Sequence, residues 1–203
     1  MAEQDKRHRP QRPAGRAPTS ASLREAALAH LARFAATEAG LKRVLERRID
    51  RWSRRAEQED PSAREAIAAA AARARQDAAE VARAMTATGV VDDAAFAASR
   101  AKRLARAGRS RRAIAAHLAS KGVDAAVAEA ALPASPGAEL DAAIAFCRRR
   151  RVGPFARAEQ DAAARMKALG ALARAGFAHD VARRALDMAP DAAEERLLAS
   201  RRE

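Results

Sequence analysis

Two stretches of the chain are near copies of each other: LASKGVDAAVAEAAL at residues 118–132 and LARAGFAHDVARRAL at residues 172–186. They align without a gap, and Gly122 of the first copy matches Gly176 of the second. In each copy a glycine separates two apolar segments of helical spacing, which predicts two helices with a left-handed stop between them. The chain therefore uses one helix–glycine–helix unit twice, and we expect this unit to close two similar small bundles.

The composition favours many helices with small cores. The 203 residues are 49% hydrophobic, but most of that content is alanine, the strongest helix former. No segment alternates polar and apolar residues for long enough to predict a strand. We therefore predict an all-α protein, an elongated array of tandem three-helix repeats, because units with so few large apolar residues stack in sequence and do not share one deep core.

Proline, glycine and charge mark the expected boundaries. We predict a disordered basic tail over residues 1–20, three-helix repeats over residues 21–89, 90–135 and 136–190, and a C-terminal tail over residues 191–203. Ser22 is expected to cap the first helix through a capping box with Glu25, and Leu28 and Phe34 to join its apolar stripe. A charged loop is expected at residues 51–62, where RWSRRAEQEDPS interrupts the apolar spacing.

The net charge of +13 predicts a polyanion or an acidic protein surface as the partner. No acidic residue lies between Asp93 and Asp124. Helical spacing from Phe96 places Lys102, Arg103 and Arg106 on one flank of their helix, while the stem of Arg100 is expected to pack and its head to reach out. A merely solvated basic face is the alternative. The candidate contact residues are Arg100, Lys102, Arg103, Arg106, Arg109, Arg111, Arg112, Lys121, Arg148, Arg149, Arg150 and Arg151.

Catalytic and metal chemistry find no support in the sequence. The four histidines are scattered, Cys147 is the single cysteine and is expected to be buried, and no phosphate-cradling glycine loop is present. We expect neither an enzyme nor a bound metal or cofactor. No apolar run is long enough to cross a bilayer, so we expect a cytoplasmic protein, as a monomer. With no tyrosine and only Trp52, sequence-specific reading of bases is not expected.

The stretch at residues 89–132 combines a set of spaced residues, Asp92–Asp93, Phe96–Ala97, Gly108, Ile114, Leu118, Lys121–Gly122–Val123 and Leu132. This stretch resembles the central motif of the RecX family, bacterial regulators of the RecA recombinase. Residues 172–186 resemble the C-terminal hairpin of that family, and residues 25–49 resemble its N-terminal opening. Ser110, His117 and residues 51–62 depart from the family pattern. The residues expected to shape the fold are Asp92, Asp93, Phe96, Gly108, Ile114, Leu118, Gly122, Leu132, Gly176 and Phe177.

The resemblance implies a protein that binds the RecA–single-stranded DNA filament along its groove and restrains its recombinase, ATPase and co-protease activities, in homologous recombination, DNA repair and the SOS response. Weak binding to single-stranded or duplex DNA without sequence preference is also expected. The alternative is an autonomous DNA-binding protein of the helix-turn-helix type, because short helices around a glycine look the same in sequence.

Overall fold

A computed structural model describes residues 13–135, 137–158 and 161–200 of the chain. Its regular structure is helical, and no strand occurs within those ranges, so the predicted all-α fold is confirmed. The helices are α1 Ser20–Leu31, α2 Glu38–Glu59, α3 Arg64–Ala87, α4 Asp93–Arg106, α5 Arg111–Lys121, α6 Ala125–Ala131, α7 Ala138–Arg150, α8 Ala162–Arg174, α9 His179–Leu186 and α10 Pro190–Ala199, with 3-10 helices at Pro61–Ala63 and Gly153–Phe155. The described residues form two compact units, divided between Val91 and Asp92.

The first unit is a bundle of α1, α2 and α3. Helices α2 and α3 pack as a hairpin whose turn is set by Asp60, because its carboxylate accepts hydrogen bonds from the backbone N–H groups of Ser62 and Ala63. The core is built from Leu23, Ala27, Leu41, Leu45, Ile49, Ala71, Ala74, Ala78, Val81, Ala82, Met85 and Val91. Alanine thus fills much of the helix–helix contact, as the composition predicts.

The charged segment at residues 51–62 is helical over most of its length, so the predicted loop is wrong. Helix α2 continues to Glu59 and ends only at Asp60, before Pro61. Arginine, glutamate and glutamine are good helix formers even where no apolar stripe is present. A side-chain bond within this part of the helix, from Ser53 Oγ to Glu57 Oε1 at 3.0 Å, adds local support.

The start of α1 also differs from the expectation. Thr19 is the N-cap, and its side chain accepts a hydrogen bond from Ser22 N–H. The Ser22 hydroxyl, at the third helical position, accepts in return from Thr19 N–H. The predicted cap at Ser22 is therefore wrong by one turn. The helix ends at Leu31, which leaves Phe34 beyond it and 54% exposed, and Leu28 is exposed as well. Residues 1–12 of the predicted basic tail lie outside the described residues. Gly15, in the remainder, is held against α2, because Trp52 Nε1 donates a hydrogen bond to its carbonyl oxygen.

The second unit holds two successive three-helix groups. Helices α4, α5 and α6 enclose a core of Ala97, Ala101, Ile114, Leu118, Val123, Ala128 and Leu132. Helices α7, α8 and α9 enclose Leu140, Ala142, Ala143, Ile144, Ala145, Phe146, Cys147, Ala168, Leu172, Phe177, Ala182, Ala185 and Leu186. Packing of α4 on α7 joins the two groups. The predicted succession of small helical bundles is therefore present here.

The duplicated phrase forms the same helix stop twice. Gly122 and Gly176 both have positive φ, 80° and 92°. In the first copy Val123 N–H donates to Leu118 O at 3.2 Å, and in the second Phe177 N–H donates to Leu172 O at 3.1 Å. These are the backbone bonds of a Schellman stop, which satisfy carbonyl groups that a helix end leaves open. The sequence repeat is thus a repeat of backbone conformation.

The segment expected to be a C-terminal tail contains α10. Pro190 is at its first position, where the fixed φ of proline suits a helix and its missing N–H costs nothing. Ala193 and Leu197 are buried in the core around α7. Arg196 pairs with Asp141 of α7, so this helix is attached by charge as well as by apolar contact.

Candidate binding surface of the second unit

The basic side chains of α4 divide into two groups on either side of its buried face. Ala97 and Ala101 are fully buried, which fixes the orientation of the helix. Lys102 and Arg106, one turn apart, are exposed on one side. Arg103 is exposed too, and its charge acts on His117 of α5, so it belongs to the other side.

Lys102 and Arg106 line a groove that also reaches α7. The groove has a volume of about 640 Å³, and Arg148 at the end of α7 lines it together with them. Its apolar lining includes Ala105, Ala142, Ala145 and Leu197. The structure therefore brings basic residues of both three-helix groups to one concave surface with a small-residue floor, which we call the basic groove (Lys102, Arg106 and Arg148 over this floor).

The second group of cations surrounds His117. Arg100 is half-buried, and its Nε donates a hydrogen bond to His117 Nε2 at 2.9 Å. Burial lowers the pKa of His117, and the positive charges of Lys121, Arg109 and Arg103 lower it further. The imidazole is thus kept neutral and serves as an acceptor. Arg100 therefore fixes α4 to α5, while the other three cations form an exposed positive face around it.

Arg111 has a structural position that its place in the sequence did not indicate. Its guanidinium donates to Pro133 O at 2.5 Å and to Glu129 Oε1 at 2.7 Å, and its backbone N–H donates to Glu139 Oε2 at 2.9 Å. It therefore ties the start of α5 to α6 and α7. Arg112, the next residue, is exposed.

The four arginines at residues 148–151 do not act as one cluster. Arg149 donates to the carbonyl oxygen of Ala107 at 2.5 Å, where α4 ends. The guanidinium groups of Arg149 and Arg150 lie 5.5 and 5.6 Å from the centre of the Phe146 ring, within cation–π range. Arg151 has a φ of 55° and caps α7. Arg148 alone among the four lines the basic groove.

The two three-helix groups are joined at the turn between α4 and α5. Gly108 is buried with a φ of 73°, and a Cβ on it would lie 2.5 Å from the backbone nitrogen of Phe146. Ser110 caps α5 and is fully buried, and its hydroxyl donates to the carbonyl oxygen of Ala175 at 2.7 Å. A Cβ on Gly176 would lie 2.7 Å from that hydroxyl. We call this contact the joint (Gly108, Ser110, Phe146, Ala175 and Gly176).

The joint lies where α4 meets α7, and both helices line the basic groove. Ser110 departs from the family pattern in the sequence, and the structure gives it a partner 65 residues away. No local sequence signal indicates that partner. The cap that Arg149 gives to α4 was likewise missed, since the run of arginines reads as a solvated helix end.

The residues expected to shape the fold lie as follows. Asp92 caps α4 by accepting from Ala95 N–H at 2.8 Å, with Asp93 in the first turn; Phe96 is half-buried; Ile114, Leu118, Leu132 and Phe177 are buried. Cys147 is buried as well, and burial raises the pKa of its thiol to about 12, so it carries almost no thiolate at neutral pH.

Within the described ranges no group of histidine, cysteine and acidic side chains could hold a metal ion. None of the helices described is long and apolar enough to cross a membrane.

Comparison with known proteins points to one family. The protein-family model described as "RecX, second three-helix domain" matches residues 92–132, which comprise α4, α5, α6 and their capping residues. A regulatory protein RecX of Myxococcus xanthus is 35% identical over 195 residues, which cover 93% of this chain and 95% of that protein. A regulatory protein RecX of Agrobacterium fabrum is 35% identical over 105 residues, covering 52% of this chain and 56% of that protein.

Proposed function

The chain belongs to the RecX family of regulatory proteins, and from that premise we propose that it regulates RecA by binding the RecA–single-stranded DNA filament through the basic groove of the second unit. One observation carries the proposal: Lys102 and Arg106 of one three-helix group and Arg148 of the next line the same groove. A partner that binds there contacts both three-helix groups of the second unit at once.

The chemistry of the groove suits an acidic surface of the filament. Arginine presents a planar fork of donors that pairs with carboxylate or phosphate in two parallel hydrogen bonds. Arg106 and Arg148 are exposed, and neither forms an ion pair with another described residue. The floor of alanine and Leu197 adds apolar contact between the charges. Charge at the rim steers association, and the floor favours retention.

The joint supports this surface. Gly108 packs against the backbone of α7, and Ser110 at the start of α5 is bonded to Ala175 at the end of α8, so we expect little independent movement of the two three-helix groups. A rigid surface loses little conformational entropy on binding. We infer that the protein bridges neighbouring RecA subunits in the filament groove, which opposes the subunit rearrangements of ATP hydrolysis, strand exchange and repressor cleavage.

The test is co-sedimentation with RecA filaments on single-stranded DNA, together with RecA's single-strand-dependent ATPase. We expect the wild-type chain to sediment with the filament and to lower ATPase activity at equimolar ratio or below. The variant R106E/R148E is expected to weaken both effects at least tenfold. The control R174E/R184E makes the same change of net charge on exposed residues of α8 and α9 and is expected to behave as wild type.

Two results would contradict the proposal. No loss of ATPase activity with wild-type protein at any ratio would refute regulation of RecA through binding, and equal weakening by the control pair would refute the groove as the site. The helix-turn-helix alternative predicts preference for one duplex sequence over random duplex in the absence of RecA. The filament regulator predicts no such preference and binding to DNA that falls steeply with salt.

A further inference from the structure

The first unit has a basic hollow of its own, separate from the surface proposed for RecA. It lies between the N-terminal strap (residues 13–19) and α2, and its volume is about 670 Å³. Arg16 of the strap and Arg48, Arg51 and Arg55 of α2 line it, with Trp52 among them. Four guanidinium groups and the only tryptophan of the chain thus share one small concavity.

The arrangement follows from the helix repeat. Residues 51, 52 and 55 follow residue 48 by three, four and seven positions, which places all four on one face of α2. The strap is fixed over this face at two points: Trp52 Nε1 donates to Gly15 O at 3.2 Å, and Ala14 N–H donates to Glu59 Oε1 at 2.6 Å. Arg16 is thereby held at the hollow. The site is built by specific contacts, and not by a loose basic tail.

Within the described ranges, the arginines of the hollow have no ion-pair partner. All four are exposed. Two acidic side chains of α2 have partners elsewhere: Asp50 pairs with Arg75 of α3 at 2.9 Å, and Glu46 lies 3.9 Å from Lys42. A third, Glu59, accepts a hydrogen bond from Ala14 N–H of the strap. Like charges held this close repel each other, and a bound polyanion would relieve that repulsion.

We propose that the hollow binds the phosphodiester backbone of single-stranded DNA. Arg48 and Arg55 are separated by about 10.5 Å along the helix axis, so the two guanidinium groups can contact different phosphates of one strand. Trp52 packs partly against the core and partly lines the hollow, so part of the indole borders the space that a bound strand would occupy. A positive groove with an aromatic side chain is the usual combination in single-strand binding sites. The proposal does not rest on RecA, since the site is complete in the first unit.

The experiment uses the full chain without RecA. Trp52 is the only tryptophan and there is no tyrosine, so intrinsic fluorescence reports on the hollow directly. We expect an oligothymidine strand to change this fluorescence saturably, with an affinity that falls with salt by a slope of about −0.7 for each phosphate contacted. The variant R48E/R51E is expected to bind at least tenfold more weakly. Its affinity should also depend less steeply on salt, by the slope that about two phosphate contacts contribute.

The control is R73E/R83E, which makes the same charge change on exposed residues of α3 and is expected to bind within about threefold of wild type. Circular dichroism confirms that both variants are folded. Equal weakening by the two variants would show diffuse attraction and overturn the proposal. Binding of a labelled strand without a change in Trp52 fluorescence would also overturn the proposal. So would an affinity for polyglutamate or for duplex DNA equal to the affinity for the single strand. These outcomes do not depend on whether the protein regulates RecA.

Discussion

Arg100 of α4 and His117 of α5 are joined by a hydrogen bond of 2.9 Å from Nε of the arginine to Nε2 of the histidine. The bond requires a neutral imidazole with its lone pair on Nε2, because a protonated ring has no acceptor. In the RecX family pattern that this chain resembles, the position of His117 is often occupied by an acidic residue. Here the histidine takes the acceptor role, and it introduces a titratable group into a contact between two helices.

We expect this contact to weaken in mild acid. The pKa of His117 is lowered below its ordinary 6.5 in the folded chain, so the unfolded chain takes up the proton first. The stability that this contact contributes is therefore fully present above pH 6.5, and it is lost as the pH falls from there through the pKa of His117 in the folded chain. H117Q keeps an acceptor without a titration. Thermal unfolding between about pH 7.5 and pH 5 is expected to show a fall in Tm for wild type exceeding that of H117Q by about 2–4 °C, the equivalent of one hydrogen bond. Parallel curves for the two proteins would contradict the prediction.

The close approach of Gly108 to α7 predicts a large cost for a single methyl group. Gly108 and Gly89 have the same φ, 73°, but a Cβ at Gly108 would meet the backbone of Phe146, whereas at Gly89 nothing lies within 4 Å. We expect G89A to cost about 1–2 kcal/mol, the penalty for left-handed backbone. G108A adds overpacking and is expected to cost roughly 2–5 kcal/mol. Urea denaturation measures both, and equal values would show that the joint accommodates the methyl group.

Local signals predict most of the helices. Asp92, Ser110 and Asp124 cap α4, α5 and α6 as their sequence positions suggest, because a side-chain oxygen at the N-cap acts on N–H groups two or three residues away. The extension of α2 through residues 51–59 and the helix α10 were not predicted. The first has charges where an apolar stripe was expected, and the second is stabilised by burial of Leu197 against α7, a contact that sequence distance conceals.

The candidate surface was predicted only as a set of charges. Helical spacing separates Lys102 and Arg106 from the buried face of α4, but it does not show that Arg148 lines the same groove. Nor does it distinguish Arg111 from Arg112, since the partners of Arg111, Glu129 and Pro133, are distant in sequence. Whether these side chains contact RecA or DNA stays a prediction.

Burial of Cys147 predicts that its thiol is unreactive in the folded protein. The pKa of about 12 compares with an ordinary 9.0 and lowers the thiolate fraction at pH 8 by about a thousandfold. A disulfide-exchange reagent such as DTNB is expected to react slowly with native protein and completely within minutes in concentrated urea. Because the chain has one cysteine, the released chromophore reports on this residue alone. Fast reaction of the native protein would show that α7 opens readily or that the thiol is accessible.

Neighbouring arginines at the start of α5 are expected to differ in what they contribute. Arg111 bonds to Pro133 and Glu129, so R111A removes two side-chain hydrogen bonds from the contact between α5 and α6. Partial exposure of the ion pair reduces its value, and we expect a loss of about 1–2 kcal/mol in urea denaturation. Arg112 is exposed, and R112A is expected to stay within about 0.5 kcal/mol of wild type. R111K tests the geometry, because a single ammonium group does not reproduce the two-pronged contact of the guanidinium. If R111A were as stable as R112A, Arg111 would return to the set of candidate partner contacts.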